Sequence, residues 1–330
     1  MLDETKGTVL ITGANGFVGS HLCRRLLDDN YSVIAGVREG CDCSLIEELD
    51  IQYRFGDITQ PETLEKMTAN VDYIIHNAGL TKTDNFDNFF LVNQIGTKNL
   101  LNSAMKNLSL KKFILISSLA GVGPSEYGQP LTEDAIPHPL TAYGRSKLRG
   151  EEEVLKFSDK INSVIIRPPA IYGPHDKEML AFFETLNNRI KPYLGNLRRK
   201  IQLVHVDDLA YGVSLALKAD TISGSVYYIA EKQSYSYCAL IRMIRKAVGR
   251  VALPIYFPGW GLKIIAFFSQ SIFKALGKSP MFTVEKANEI LRNWEVSTDK
   301  AREELGYESQ IDFPTGAQET VWWYREEGWL

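Results

Sequence analysis

The chain has 330 residues, of which 45% are hydrophobic and 23% charged, as in an ordinary globular protein. Its formal net charge of -3, from 37 basic and 40 acidic residues, gives no overall attraction to nucleic acid or to anionic lipid. At about 150 residues per domain, this length allows one large core or two modest ones.

The four cysteines are Cys23, Cys41, Cys43 and Cys238. A single residue separates Cys41 from Cys43, which is not a zinc-ligand spacing, and no histidine lies near them in the sequence. We therefore expect free thiols and no metal site.

The N-terminal segment MLDETKGTVLITG contains two acidic residues and leads directly into a predicted strand, unlike a signal peptide. The longest apolar run, residues 262–276, includes two lysines and is shorter than the ~18 residues that a spanning helix needs. We expect a cytoplasmic protein without a membrane span.

The first two-thirds of the chain alternates short runs of β-branched residues with amphipathic stretches. These predict strands at residues 8–12, 32–37, 52–55, 73–77, 112–117 and 163–167, and helices at 18–29, 61–68, 89–106 and 142–157. Runs such as VLIT, YIIH and FILIS are almost entirely apolar, which is typical of strands buried on both faces. This order predicts an α/β fold with a doubly wound parallel sheet and helices on both faces.

After Gly173 the pattern changes. Helices are predicted at residues 177–187, 207–218, 236–248, 262–276 and 283–292, and strands at 202–204 and 225–230. We expect residues 1–172 to form one domain and residues 173–330 a smaller, mostly helical part over the carboxyl edge of the sheet. A segment near residues 201–230 is expected to return to the first domain.

A glycine-rich turn, TGANGFVG, follows the first predicted strand and opens the helix after it. Gly13 permits the sharp turn, Gly16 lets the backbone approach a pyrophosphate, and Gly19 lets the helix pack on the strand. The alternative is a β–α connection that binds no ligand. We predict a Rossmann dinucleotide site whose turn residues are Gly13, Asn15, Gly16, Phe17, Val18 and Gly19.

The end of the second strand distinguishes NAD from NADP. An acid at this point binds the ribose 2′-hydroxyl of NAD, whereas a cation binds the 2′-phosphate of NADP. Arg38 stands there with Glu39 next, which favours NADP(H) and leaves NAD(H) open. Asp57 and Ile58 end the third strand, where the Asp57 carboxylate would accept a hydrogen bond from the adenine amine.

A candidate catalytic group combines Tyr143, Lys147 and Ser118. The spacing of four puts the phenol and the ammonium on one helix face, and Ser118 ends a strand at the ligand-binding edge of the sheet. We expect Lys147 to lower the pKa of Tyr143; a shift of about three units from a value near 10 takes roughly 4 kcal/mol. Tyr143 would exchange a proton with the substrate oxygen during hydride transfer. The alternative is a surface Tyr–Lys pair.

As a set, these residues resemble the extended short-chain dehydrogenase/reductase family, within the NAD-dependent epimerase/dehydratase superfamily. TGANGFVG is similar to its glycine turn and YGRSK to its Tyr-x-x-x-Lys motif. The segments HNAG, LVNQIGTKNLL, IIRPPAIYGP, VHVDDLA and WEVSTDKAREELGY also resemble family segments, so the likeness covers nearly the whole chain.

The resemblance implies a role for residues at matching positions. Ser118 takes the place of the catalytic serine, Tyr143 is the acid/base, and Lys147 binds the nicotinamide ribose and tunes Tyr143. The backbone around Pro168 would face the nicotinamide. The remaining residues implied to line the cofactor are Ala78, Gly79 and Asn93.

Departures from the family pattern narrow the reaction. Its sugar-nucleotide dehydratases carry an Asp-Glu pair after the catalytic serine or threonine, whereas this chain has Leu119 and Ala120, which disfavours dehydration. Arg38 and the segment LAGVGP argue more mildly against sugar epimerisation. SSLAGVGP and GVRE are closer in pattern to 3β-hydroxysteroid dehydrogenases and dihydroflavonol reductase-like members.

The C-terminal part contains an aromatic segment, LPIYFPGWGLKIIAFFSQSIF. It would form a lid over a hydrophobic ring substrate or touch a membrane surface, or it would be core or dimer contact. Its aromatic residues are Tyr256, Phe257, Trp260, Phe267, Phe268 and Phe273.

Three functions are therefore weighed. The leading one is an NAD(P)-dependent oxidoreductase for a ketone or secondary alcohol of a hydrophobic or cyclic small molecule. The second is a sugar-nucleotide epimerase that retains NAD, and the third is a dinucleotide-binding protein without turnover. The family resemblance also implies a homodimer formed through the helices that bear Asn93 and Tyr143.

Overall fold

The computed structural model describes residues 5–275 and 283–330, and for residues 270–275 it describes the backbone alone. The strands are β1 (Thr8–Thr12), β2 (Ser32–Val37), β3 (Gln52–Phe55), β4 (Tyr73–His76), β5 (Lys112–Ile116), β6 (Ser163–Ile166), β7 (Ala170–Tyr172), β8 (Ile190–Leu194), β9 (Lys200–Ile201), β10 (Leu203–His205), β11 (Ser225–Tyr227), β12 (Tyr235–Ser236) and β13 (Leu253–Phe257). The helices are α1 (Phe17–Asp28), α2 (Leu64–Thr68), α3 (Asp87–Phe90), α4 (Thr97–Ala104), α5 (Ala142–Leu155), α6 (Leu180–Asn187), α7 (Val206–Lys218), α8 (Tyr237–Val248), α9 (Gly259–Ala275), α10 (Val284–Ile290), α11 (Asp299–Leu305) and α12 (Phe313–Glu326).

Seven parallel strands form the central sheet in the order β11-β6-β5-β4-β1-β2-β3. From β1 the chain adds β2 and β3 on one side and then β4, β5 and β6 on the other, so the strand order reverses between β1 and β4. A doubly wound sheet binds its ligand at this position. The predicted fold class, a parallel Rossmann sheet with a largely helical C-terminal part, is confirmed.

Alternating side chains explain why this sheet is covered on both faces. Val9 and Ile11 of β1 belong to one apolar cluster, together with residues of α1 and α7. Leu10, between them, belongs to the opposite cluster, which includes residues of α2 and α4. Because side chains alternate along a strand, a continuous apolar run supplies both cores.

The stretch 89–106, predicted as one helix, is divided in the structure. α3 leads into a π-helical segment, Leu91–Gly96, and α4 continues from Thr97. A Cβ on Gly96 would lie only 2.7 Å from the Cδ1 of Ile58, so this turn passes close to the loop after β3. π-helical turns widen a helix locally and are common at functional sites, and periodicity alone did not predict this one.

The C-terminal part has its own core. α6, α8 and α12 contribute to a third apolar cluster that includes Phe183, Ile244 and Phe313. Within the described residues, the predicted helix 262–276 corresponds to α9, and Leu276 lies outside them. The strand β13 and its parallel partner β8 were not predicted.

The chain crosses between the two parts. α7 lies against α1, and β11 extends the central sheet beside β6. The boundary near residue 172 stays a prediction. Among the described residues, no helix has both the length and the apolar character required to cross a bilayer.

Candidate active site

The turn between β1 and α1 forms a cradle of backbone amides. Gly13 has a φ of +66°, and a Cβ there would lie 2.9 Å from the Cα of Ala78. A Cβ on Gly19 would lie 2.1 Å from the Gly13 carbonyl oxygen, so only glycine permits this approach. α1 begins at Phe17 after Gly16, and no side chain caps it, so its first amides are left for an anion. The cradle fits a dinucleotide pyrophosphate.

The loop after β2 lies beside this turn. Asn15 Nδ2 donates to the carbonyl oxygen of Asp42 at 2.8 Å, which ties the turn to that loop. Arg38, the first residue after β2, is exposed. Val18 is partly buried and packs against the same apolar cluster as Cys41 and Cys43 of that loop. Arg38 is therefore free of the core and lies in a loop attached to the glycine turn.

Asp57 and Ile58 are both engaged locally. One oxygen of the Asp57 carboxylate accepts from the amide and the hydroxyl of Thr59, each at 2.8 Å. The Ile58 side chain is buried and packs against the π-helix at Gly96. An adenine contact from Asp57 stays a prediction.

His76, at the end of β4, links the glycine turn to the helix beyond it. Thr12 Oγ1 lies 2.8 Å from Nδ1 of the ring, and Thr97 Oγ1 lies 3.0 Å from Nε2. Thr12 also accepts from the amide of Ala78, and Thr97 donates to the carbonyl oxygen of Asn93. These contacts assign the ring proton to Nε2. Burial lowers the pKa of His76 to about 3, with the Lys147 charge adding to it, so the ring is neutral.

Asn93 lies in the π-helical segment and holds two other elements together. Its Nδ2 donates to the Leu80 carbonyl oxygen at 3.0 Å and to Ser146 Oγ at 2.9 Å, while its Oδ1 accepts from the Leu80 amide at 2.8 Å. A Cβ on Gly79 would lie 3.2 Å from Asn93 Oδ1 and 3.7 Å from Lys147 Nζ. The structure therefore brings three predicted cofactor residues together.

The three predicted catalytic residues meet at the carboxyl end of β5. Ser118 follows that strand and caps a 3-10 turn by accepting from the Ala120 amide at 3.1 Å. The Tyr143 phenol, in the first turn of α5, lies near enough to Ser118 for that side chain to lower the pKa of the phenol. One turn later, Lys147 is buried, and its Nζ donates to the Ile116 carbonyl oxygen at 2.7 Å.

The pKa of Tyr143 departs from the expectation. Burial raises it to about 12, and the charges of Glu289 and Glu178 also raise it, whereas the Ser118 hydrogen bond lowers it. Burial lowers the pKa of Lys147 to about 8, against the opposing charge of Glu151. The expected lowering of the Tyr143 pKa by Lys147 is therefore not found, because desolvation dominates at both groups.

A buried ion pair lies directly behind Lys147. Glu151, one turn further along α5, accepts from Arg167 Nε at 3.0 Å and from its Nη2 at 2.6 Å. Ser117 also donates to Glu151. Arg167 follows β6 and precedes Pro168, which is buried and whose carbonyl oxygen accepts from the Leu119 amide at 2.8 Å.

The C-terminal part reaches the same site through α10. Glu285 accepts from the Ala142 amide at 3.2 Å and forms a partly exposed ion pair with Arg145 at 3.1 Å. The Glu289 charge acts on Tyr143. α10 is therefore the part of the C-terminal region that faces the start of α5.

A second cluster, of His205, Asp207 and Glu319, brings potential metal ligands within 4.8 Å of one another. His205 is fully buried, and its Nδ1 accepts from the Asp207 amide at 3.3 Å. Its Nε2 lies 3.7 Å from a Glu319 oxygen and has no hydrogen-bond partner among the described residues.

Comparison with known proteins gives the family. The profile of the NAD dependent epimerase/dehydratase family matches residues 9–230, which is more than half of the chain. The chain belongs to this family. The ceramide reductase of Caulobacter vibrioides is 30% identical to it, over 100% of this chain and 98% of that protein.

Two further proteins match along nearly their whole length. A decarboxylating sterol-4-alpha-carboxylate 3-dehydrogenase of Saccharomyces cerevisiae is 25% identical, over 97% of this chain and 96% of that protein. The crystal structure of gox2253 superposes with a TM-score of 0.84 at 27% identity, covering 98% of this chain and 99% of that one. The chain is therefore an NAD(P)-dependent oxidoreductase of the extended short-chain dehydrogenase/reductase type, as its motifs indicated.

Two groups at this family's site were missed in the sequence. The Glu151–Arg167 pair joins α5 to the end of β6, and no local pattern announces such a contact. A weak signal existed, because Glu151 stands four residues after Lys147 and so shares its helix face. His76 lay within the HNAG segment, but its two threonine partners come from β1 and α4.

Proposed function

We propose that this protein transfers hydride between a nicotinamide and a ketone or secondary alcohol of a hydrophobic or cyclic substrate. The observation that carries the proposal is the meeting of Ser118, Tyr143 and Lys147 at the carboxyl end of β5. The glycine cradle of β1 opens at the same edge of the sheet.

The residues divide the chemistry of ketone reduction. Bound NAD(P)H supplies the hydride that is added to the carbonyl carbon. Tyr143 holds the matching proton on its phenol oxygen, because burial keeps its pKa at about 12, and passes that proton to the carbonyl oxygen. Ser118 orients the phenol. The positive charge of the Lys147 ammonium stabilises the phenolate that forms when the proton leaves.

A hydrophobic substrate is supported by the site's surroundings. Leu119 and Ala120 follow Ser118, so no acid–base pair for water loss stands there. Exposed aromatic side chains on β13 and α9 include Tyr256 and Trp260. Ceramide and sterol carboxylates, which appear in the names of two relatives, are also hydrophobic.

The cofactor preference that we propose is NADP(H). Arg38 is exposed on the loop that Asn15 ties to the glycine turn, so its guanidinium is available to a 2′-phosphate. Glu39 beside it is also exposed and is the alternative group, which would accept from the ribose hydroxyl of NAD.

A cytoplasmic homodimer is the assembly that we propose. Leu91 and Ile95 of the π-helical segment and Leu155 of α5 are apolar side chains that are at least 40% exposed. Pairing of these helices across a two-fold axis would bury them. A sedimentation-velocity run on the purified chain gives the mass directly.

The decisive test is Tyr143→Phe, assayed for NADPH oxidation with a panel of hydrophobic ketones. We expect kcat to fall by about 10²- to 10⁴-fold, the usual contribution of a general acid, with the dissociation constant for NADPH unchanged. Tyr211→Phe is the matched control, because Tyr211 lies on α7 beside Tyr307, away from the site. Unchanged turnover in Tyr143→Phe would refute the mechanism, and protein that purifies with tightly held NAD would favour the epimerase instead.

A further inference from the structure

One surface of the C-terminal part, formed by β8, β13 and α9, lies in a region of unusual charge. Residues 185–206 and 232–284, which contain these elements, hold thirteen lysines and arginines and no aspartate or glutamate. The other 255 residues hold 24 basic and 40 acidic residues, a balance of -16. The chain's overall charge of -3 therefore conceals a strongly basic region. We call the surface of β8, β13 and α9 the basic-apolar face.

Large apolar side chains project from this face into solvent. β13 runs parallel to β8, and its Leu253 and Tyr256 are 73% and 60% exposed. α9 turns Leu262 and Ala266 inward, while its other sides carry exposed residues. The exposed apolar residues of α9 are Trp260, Ile264, Ile265, Phe267 and Phe268. A helix that is apolar on nearly all sides is normally buried by a partner.

Cations accompany these apolar groups. Lys263 lies among the exposed residues of α9, and Lys191 lies on β8 with its Nζ 4.9 Å from the Tyr193 ring. Arg189 and Arg250 precede the two strands and are exposed. Within residues 5–275 and 283–330, none of these four cations forms an ion pair.

The face continues into a cleft that leads toward α10. This cleft, of about 640 Å³, is lined by residues that include Tyr256, Trp260, Lys263 and Leu291. Leu291 follows directly after α10, the helix whose Glu289 acts on the catalytic phenol. The basic-apolar face and the candidate active site are therefore adjacent to the same short helix.

We propose that the basic-apolar face binds the surface of a bilayer rich in anionic phospholipid. Its aromatic and aliphatic side chains enter the interfacial layer, and its lysines and arginines contact lipid phosphates. Tryptophan and tyrosine, which are amphipathic, are favoured at that depth, and both are exposed here.

The charge argues for lipid over a second copy of the chain. In a two-fold dimer through this face, each copy would bring its cations toward those of the other, and neither would supply a carboxylate from these segments. An anionic lipid surface neutralises the same cations. The proposal goes beyond hydride transfer, because vesicle binding can be measured without any substrate or turnover.

The first experiment is co-sedimentation of the full chain with vesicles, comparing phosphatidylcholine alone with an equal mixture of phosphatidylcholine and phosphatidylglycerol. We expect binding to the anionic vesicles, little binding to the neutral ones, and release by high salt. Phe268→Glu should weaken binding at least about tenfold, since it places an acid in the interfacial layer. Ile222→Glu is the matched control, because Ile222 is 84% exposed on the loop before β11 and should leave binding intact.

A second variant separates the charge contribution from the apolar one. Lys263→Gln removes one exposed cation and should weaken binding about fivefold, whereas Lys160→Gln, an exposed lysine outside the face, should not. NADPH affinity and melting temperature, measured for each variant, establish that the fold is intact. Equal binding to neutral and anionic vesicles would overturn the proposal. So would failure to bind either, or a Phe268→Glu variant that changes only the mass of an oligomer.

Discussion

Glu151 and Glu231 are both buried glutamates, one on the helix that bears Tyr143 and Lys147 and the other in the C-terminal half of the chain. Glu151 is 1% exposed and has Arg167 and Ser117 as partners. Glu231 is 3% exposed, with the Tyr235 hydroxyl on one oxygen and no partner among the described residues on the other. The first is compensated by the opposite charge of Arg167, whereas the second is acted on by the like charges of Asp312 and Asp208.

The difference shows how each region tolerates a buried acid. In the cofactor half, burial opposes the charge of Arg167, but the hydrogen bonds that Arg167 donates to Glu151, together with the charge of Glu151, raise the pKa of Arg167. In the C-terminal half, burial raises the pKa of Glu231 to about 7, and the charges of Asp312 and Asp208 raise it further. The Glu151–Arg167 pair is therefore a fixed pair of charges, whereas the protonation state of Glu231 depends on pH.

The largest loss of stability should come from breaking the buried Glu151–Arg167 pair. Glu151→Gln leaves the Arg167 guanidinium buried without its counter-charge, and we expect the free energy of unfolding to fall by about 3–5 kcal/mol. Urea denaturation followed by circular dichroism measures it.

A control for that variant is the exposed ion pair that joins α10 to α5. Glu285→Gln breaks the Arg145 pair, whose side chains are 44% and 42% exposed, and should cost only about 0–1 kcal/mol. Equal losses in the two variants would contradict the contrast between a compensated buried pair and an exposed one.

The features that could be predicted from the sequence are local patterns, and those that could not are contacts between separate elements. We could predict the strands of the central sheet, the glycine turn and the Tyr143–Lys147 spacing. Each is a pattern of nearby residues that favours one local backbone conformation. The Glu151–Arg167 pair was not, because its partners lie on separate elements that meet only after folding. The pKa of Tyr143 was misjudged in direction for a related reason: spacing predicts the neighbouring ammonium but not the desolvation of the phenol.

Beyond residue 173 the sequence predicted helices better than strands. β8 and β13 pair over five residues each, yet the proline in both strands and the aromatic residues around Tyr256 gave no alternating pattern. Short strands that pair only with each other carry little periodicity, so their existence depends on tertiary contacts that cannot be inferred locally.

A glycine in each half provides the next test of the comparison. Gly19→Ala would place a Cβ 2.1 Å from the Gly13 carbonyl oxygen, and we expect a loss of about 3 kcal/mol in stability together with weaker NADPH binding. Gly261→Ala, in α9, meets Pro258 at an ordinary 3.4 Å and should be neutral or stabilise by about 0.5–1 kcal/mol. Thermal denaturation and NADPH titration compare them. A tolerated Gly19→Ala would mean that the cradle is not tightly packed.

Replacing Glu231, the buried acid whose protonation depends on pH, should change the free energy of unfolding by a smaller amount and in the stabilising direction. Because the folded-state pKa of Glu231 is raised, the folded protein binds more protons than the unfolded chain, and stability is lost as pH rises toward about 7. Glu231→Gln keeps an acceptor for Tyr235 and cannot ionise. We expect it to match the native protein at pH 5 and to exceed it by on the order of 2 kcal/mol at pH 8.

Urea denaturation of both proteins across this range measures that difference. Glu151→Gln is the comparison, because it should destabilise at both pH values rather than stabilise at the higher one. A Glu231→Gln variant that is less stable than the native protein at pH 8 would show that the carboxylate is compensated after all.

The smallest effect concerns Arg38, a predicted cofactor residue whose side chain the fold leaves exposed. The Arg38 side chain is exposed and is not part of the buried Glu151–Arg167 pair. Replacing it should therefore change the cofactor preference without changing the stability of the protein. For Arg38→Gln we expect the dissociation constant for NADPH to rise about tenfold, or about 1.5 kcal/mol, from the loss of a charge-assisted contact. The dissociation constant for NADH should stay constant, because that cofactor lacks the 2′-phosphate. Glu39→Gln is the reciprocal control: if it weakens NADH and Arg38→Gln leaves NADPH unaffected, the preference is for NAD, and Glu39 is the residue that reads the ribose.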